Sequence, residues 1–593
     1  MCSARARPQW LGIWGVGAVM ALSACMGYVG GEGATGSSPA ASGASSGSAG
    51  ARMASGGISA ASGTSTGSSA SGSSAAAAAA APACAQGASF APARLNLMTD
   101  DQYRNVVHDV FGVTFPESVV ITTPASTSGL FPYNENAQIE ETTLQAYLRA
   151  ADEVTSLMTA FPPCAAGAVN ATCIESFLST SLPRAWRRPV TDDEISGLLT
   201  IFNSASTAGQ ATQTQLVMEA ALIHPAFLYR SEIGTNAATA TGKVQLTPFE
   251  LASAVSFGLL DSSPDDELWA KAQDGTIAQP SVLASEVTRL MALQAVQANL
   301  TLKVSYYLDF EKLPFVIKDP TAYPDFAALQ GTLYQSAEMF LTDVMWSGHF
   351  SDFFTSSRIY SNQAMAAAYG LPPVTGTQLQ PVTLTGASYN GGLLTQPALL
   401  AASNQNAVGD DVIHRGLWVY YNLLCAPTLP PPPADAATVA ATITGSTRQQ
   451  AIIRDTTCGA GCHGRFDPFG IVTLSYDGIG RYRTADPTST PPGAPIDDSA
   501  TILAGVLTDQ PRMPIMVSGV SDVAKLFTAG RQVSDCAADN LTTYTMEHSP
   551  DVENSCDLQN VKNDFLQSGS LPGLFTAILT SPAFANRDIE MPQ

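Results

Sequence analysis

From residue 94 onward, the apolar positions of this 593-residue chain fall at helical spacing in one segment after another. Tyr103, Val106, Val107, Val110 and Phe111 share one face, behind a Thr99–Gln102 pair that reads as a capping box. The same logic returns at Thr191 and Glu194, where Ile195, Leu198, Leu199 and Phe202 form the stripe to be buried. At Thr247-Pro248-Phe249-Glu250 a cap, a first-turn proline and a capping carboxylate stand together before ELASAVSFGLL. Pro225 breaks the helical run before it, with Arg230 and Glu232 close behind. Residues 295–372 carry more amphipathic helix, with Tyr306, Tyr307, Phe310, Phe353 and Phe354 read as core. Further helices are expected around Val520–Phe527 and Ala537–Thr545. The pattern predicts a mainly α, multi-domain helical protein.

The first 84 residues read differently. Arg5 and Arg7 precede an apolar core, Leu11–Leu22, that is too short to span a bilayer as an ordinary helix, so residues 1–25 read as an export signal. It ends Leu22-Ser23-Ala24-Cys25, which resembles a bacterial lipobox and marks Cys25 for lipidation; the alternative is a plain signal peptide cleaved near Ala24. Residues 26–84 are almost all Ser, Gly and Ala, a composition that buries no core and acts as a tether. The expected location is the cell envelope, outside the cytoplasm, with the protein held to a membrane by its lipid.

Charge narrows the partners. A net charge of −22 argues against nucleic acid, which needs clustered Lys and Arg, and against electrostatic docking on anionic lipid. It is compatible with a basic redox partner. Among possible acid–base or metal groups, Asp261, Asp265, Asp266 and Glu267 follow or flank Ser-Pro and read as helix caps. Arg184, Arg187 and Arg188 are expected to pair with internal carboxylates, and His108 to be structural or solvent-facing. Outside the Ser/Gly/Ala-rich tether there is no Gly-x-Ser-x-Gly elbow, and there is no His-Glu-x-x-His helix, so a hydrolase finds little support.

Cysteine and histidine cluster in one place, TTCGAGCHGRFDPFGIVTLSYDGIGRYR, residues 456–483. A cysteine pair ending in Cys-His is how a chain attaches a c-type haem, the thiols of Cys458 and Cys462 adding to the vinyl groups and His463 becoming the proximal ligand. Three residues, Gly459, Ala460 and Gly461, separate the cysteines here, where the standard spacing has two. Zinc is the less suited alternative because no second ligand pair follows at finger spacing. A disulfide-bonded loop is the other. Asp467-Pro468-Phe469-Gly470 reads as a turn, with the Pro468 carbonyl as candidate acceptor for the second ring N–H of His463.

The run from Cys458 to Arg483 resembles the planctomycete-type cytochrome c-like domain, found also in myxobacteria, in extracytoplasmic proteins without an established reaction. RLNLMTDDQYRNVVHDVFG, LPRAWRRPVTDDE, HPAFLYRSEIG, SSPDDELWAKAQDG and the stretch from Gly391 to Pro433 resemble companion domains of the same family. Under this resemblance residues 88–235 form helical N-terminal domains, 236–385 a central helical domain, 386–490 the cytochrome c-like domain and 491–593 a C-terminal helical domain. His414-Arg415-Gly416 lies at a helix start, and Pro430–Pro433 form a stiff strap, with Cys425 read as a staple beside it. The last region is expected to supply a sixth iron ligand from Met513 or Met516, in the proline-flanked PRMPIM, ahead of Met546 and His548.

Ten cysteines are then sorted. With Cys2 and Cys25 in the leader and Cys458 and Cys462 on the haem, the remaining six read as disulfides of an exported protein. Nearness in sequence pairs Cys164 with Cys173 and Cys536 with Cys556, leaving Cys84 for Cys425. The expected function is a one-haem electron carrier, or a haem-dependent oxidoreductase if the distal position is open. The alternative is a haem-free, disulfide-stabilised surface lipoprotein that binds a polysaccharide or a protein.

Overall fold

A computed structural model describes residue 84 and residues 90–121, 139–158, 169–235, 242–431, 438, 442–457, 462–510, 512–548 and 555–589. Cys25, Cys164, Cys458 and the Gly459–Gly461 spacer lie outside the described residues, as do Pro432 and Pro433 of the proline strap.

All three predicted capping boxes form. Thr99 caps helix α1 (Asp100–Phe111) with Gln102 answering it, and Thr191 and Glu194 do the same for α4 (Asp192–Ser204), which follows α2 (Glu141–Leu157) and α3 (Ala171–Ala185). After α5 (Gln210–Leu222) and the one-turn α6 (Pro225–Leu228), Thr247 and Glu250 cap α7 (Pro248–Leu260). Each box satisfies two amide donors that a helix start otherwise leaves open. The fold is predominantly α. Its strands are short pairs, such as β1 (Arg94–Leu97) against β2 (Tyr229–Glu232).

Helices α1–α6 and Phe257 of α7 enclose one apolar core, with Tyr103 at its centre against Phe115, Tyr147 and Phe227. A second, larger core draws on Phe90, Ala91 and residues from Leu246 to Phe584 and takes in Tyr307, Phe310, Phe353 and Phe354, as their pattern predicts. It is built by α8 (Asp266–Gln273), α9 (Pro280–Met291), α10 (Gln294–Tyr307) and α11 (Phe326–Ser347), and then by later elements described below.

Between the two cores lies a buried charge network. Glu232 accepts from Arg94 at 3.0 Å and from Arg587 at 2.8 Å, and Arg230 pairs with Glu547. Glu547 also receives Asn96 at 2.6 Å and Gln102 at 2.7 Å. Burial pushes the Glu232 carboxyl up, but Arg587, Arg94 and Arg230 together outweigh it and hold it far below the usual range.

Several local expectations are refined here. Asp265 caps α8 and Asp266 and Glu267 occupy its first turn, as expected. Asp261 does not cap a helix start: it closes α7 in the left-handed conformation and receives Lys303, Gln102 and Asn299. Arg184 and Arg188 pair with Asp266 and Glu194, whereas Arg187 is buried and donates to the carbonyls of Ala185, Ala226, Phe227 and Tyr229. His108 is exposed beside Asp109.

The disulfides correct the sequence reading. Cys84 is bonded to Cys556, and Cys425 to Cys536. Cys536 and Cys556 are not partners, nor are Cys84 and Cys425, because helix packing rather than nearness in sequence selects the pairs. Cys536 sits on the helix Gln532–Met546, which packs against the wide turn Val419–Leu423 just before Cys425, and Cys556 opens the next helix, Cys556–Ser568. Cys173 is also disulfide-bonded.

Candidate functional site

After α12 (Asp352–Thr355), α13 (Gln363–Tyr369) and α14 (Pro397–Ala402), Asp411 caps α15 (Val412–Trp418) by accepting the His414 amide at 3.0 Å. Helix α16 (Thr447–Thr457) precedes the cysteine loop, and α17 (His463–Ile471) follows it directly. Val412, Ala451, Ile471 and Leu474 make a small core beneath these three helices.

Asp467-Pro468-Phe469-Gly470 is therefore helix, not turn. Helix α17 packs closely on α15 on either side of the proline, at Phe466 and Gly470, and the Pro468 carbonyl accepts the Val472 amide at 3.3 Å. The expected Pro468 acceptor for His463 is replaced by a side chain. On a helix, positions four apart share a face. His463 Nδ1 thus lies 3.3 Å from Asp467 Oδ2, within ion-pair reach though not aligned as a hydrogen bond.

Asp467 is fully buried. Arg454 of α16 donates to it through Nε at 3.4 Å, and its second oxygen, Oδ1, has no hydrogen-bond partner. A second acidic group joins the cluster: the Asp455 carboxyl is pushed up to about 6 by burial, with the charge of Asp467 adding and those of His463 and Arg454 opposing. Cys462, immediately before His463, is a free thiol and half-buried.

A cavity of about 400 Å³ opens beside this cluster. Ile452 and Asp455 of α16, Gly464, Pro468 and Ile471 of α17, and Met516 line it. Met516 lies on a strand (Ile515–Ser518) paired with Ser499–Ile502, opposite Thr501. Met513 and Met516 are 71% and 82% exposed, so neither is core filler; Met516 borders the cavity and Met513 is not among its described lining residues. Met546 is buried in the large core.

The tail of the motif is scaffolding. Asp477 accepts the amides of Ile479 and Arg481 and the Arg481 side chain, which closes the Asp-Gly-Ile-Gly loop. Arg415 is buried and ties α15 to it through the carbonyls of Tyr476 and Asp477. Arg483 pairs with Asp410. Tyr476-Asp477-Gly478-Ile479-Gly480-Arg481 thus ties α15 to the segment that follows α17.

Family comparisons agree with this architecture. PSD5, a protein of unknown function (DUF1595), matches residues 173–232, and PSD4, a protein of unknown function (DUF1592), matches residues 246–371. PSCyt3, a protein of unknown function (DUF1588), matches residues 390–486, which hold α15, α16, α17 and the cysteine loop. The chain carries the domains of the planctomycete-specific and cytochrome c-like families. No curated protein and no solved structure matches it.

The donor set fits a haem better than a free metal ion. Among the described residues no group of three or more His, Cys, Asp or Glu side chains gathers to hold a metal. One imidazole stands next to one unpaired thiol, its Nδ1 turned to a carboxylate, and the adjoining cavity is walled by Ile452, Pro468, Ile471, Leu503 and Met516 with Arg448 and Asp455, while His463 and Cys462 are not among its lining residues. Sequence reading missed Asp467, Arg454 and Asp455. The signal was the i, i+4 spacing of His463 and Asp467, hidden by taking the run as a turn.

Proposed function

We propose that residues 386–490 carry one covalent haem and that the protein transfers single electrons in the cell envelope. Cys458 and Cys462 would hold the macrocycle and His463 would ligate through Nε2, the nitrogen left over when Nδ1 faces Asp467. A bound haem supplies reversible one-electron chemistry; the chain supplies the thioether anchors, a fixed imidazole and an enclosing wall. Met516 is the favoured distal ligand because it borders the cavity, with Met513 as second choice.

The observation that carries the reading is the free Cys462 thiol beside His463. In the haem-free alternative, Cys458 and Cys462 are disulfide-bonded, with Cys425 as a candidate partner. Cys425 is taken by Cys536, and Cys462 is unpaired. The three-residue spacer is the feature that favours the haem-free scaffold binding a polysaccharide or protein. Lipidation at Cys25 would tether either form to a membrane, and a basic redox protein would complement the charge of −22.

The test is a haem stain and a reduced-minus-oxidised spectrum of the full chain exported in cells with c-type maturation. A haem that survives denaturation and a sharp α band support the electron carrier. A colourless protein with Cys458 recovered in a disulfide overturns it.

A further inference from the structure

His463 and Asp467 define how the iron ligand would be tuned, an inference that rests on the haem reading above. We propose that when His463 is ligated through Nε2, the Asp467 carboxylate takes the hydrogen bond from its Nδ1 proton, strengthens the imidazole as a donor and lowers the reduction potential of the iron. Asp467 is buried to 0% exposure, stands 3.3 Å from Nδ1 and leaves one oxygen without any partner. The oxygen that faces Nδ1 is Oδ2, whose one hydrogen bond, from Arg454, is long at 3.4 Å, and Nδ1 itself has no hydrogen-bond partner, so both members of the pair are short of one.

Ligation at Nε2 forces the imidazole proton onto Nδ1, and that proton then faces the carboxylate. No proton leaves the pair: it stays on Nδ1 and is shared toward Oδ2. A charged acceptor makes a stronger hydrogen bond than a backbone carbonyl does, and outer partners of this kind raise the basicity of a ligating histidine. Greater donation favours the ferric over the ferrous state. Arg454, donating to the same Asp467 oxygen, draws off part of the carboxylate charge and moderates the effect. Asp455 belongs to the cluster but has no hydrogen bond or ion pair to His463, so it can serve as a charge control.

The experiment is a redox titration of the haem-loaded full chain, wild type against Asp467→Asn and Asp455→Asn, at pH 7. Asp467→Asn is expected to raise the midpoint potential by at least a tenfold change in the one-electron equilibrium constant beyond Asp455→Asn, about 59 mV. Equal shifts in the two variants, or none, overturn the proposal while leaving the electron-carrier reading intact. A wild-type chain without covalent haem overturns both. If Asp467→Asn does not fold, the wild-type ferrous protein labelled with ¹⁵N-histidine decides. A downfield, slowly exchanging Nδ1 proton supports the pairing, and a freely exchanging one overturns it.

Discussion

Gly470 of α17 lies directly on the carbonyl of Val412 in α15, so close that a β-carbon would strike backbone. The contact is reciprocal: a β-carbon at Gly416 in α15 would strike the carbonyl of Phe466 in α17. Two glycines thus let the helices cross with their backbones touching, and this crossing sets where His463 and Asp467 sit.

Alanine at either position is therefore expected to destabilise the protein by about 1–3 kcal/mol, since the obstacle is main chain that cannot rotate away. Gly197 and Gly331 are exposed helical positions with nothing near the would-be β-carbon. Alanine there should be neutral or stabilise by about 0.4–1 kcal/mol. Urea denaturation midpoints of the four variants check both halves. Gly470→Ala matching Gly331→Ala would refute the tight crossing.

Glu232 is the single carboxylate shared by Arg94 and Arg587 between the two cores. Glu232→Gln leaves buried guanidinium charge without its counterion and should cost about 3–5 kcal/mol. Arg587→Met alone should also destabilise, and the double variant should recover part of the loss. A double-mutant cycle measures the coupling, and strict additivity would show that the pair acts independently.

Glu311 carries a prediction in pH. Burial, with the charge of Asp309 adding, pushes its carboxyl up to about 7, and Oε2 has no hydrogen-bond partner. Between the ordinary carboxylate value of 4.5 and about 7 the folded chain holds a proton that the unfolded chain has lost. This contribution to stability is present at low pH and falls as pH rises through that window. Glu311→Gln should flatten that segment of the profile and, at pH 8, stabilise by on the order of 1 kcal/mol after allowance for partial solvation. Thermal melts across pH 4–8 would show the change in slope.

Disulfide mapping by mass spectrometry under non-reducing conditions is expected to recover Cys84 with Cys556 and Cys425 with Cys536. A Cys425→Ser/Cys536→Ser variant should lose about 2–4 kcal/mol, the range for closing a long loop. Recovery of a Cys536–Cys556 peptide would contradict the helix arrangement described here.

Most of the secondary structure was legible from residues alone. The boxes at Thr99, Thr191 and Thr247, the apolar stripes behind them and the cap at Asp265 all depend on groups within a turn of one another. A few consecutive residues specify them completely. The adjacency of Cys462 and His463 was legible for the same reason.

Pairings across distance were not. The partners of Cys425 and Cys556, the three arginines around Glu232, and the role of Asp261 follow from which helices pack together, and no local pattern encodes that choice. Asp467 lies between these cases. Its four-residue spacing from His463 was on the page, but Pro468 argued for a turn, and only the packing of α15 through Gly416 and Gly470 carries the helix past the proline. Local hydrogen bonding wrote the elements into the sequence; burial, which depends on the whole chain, decided which side chains meet.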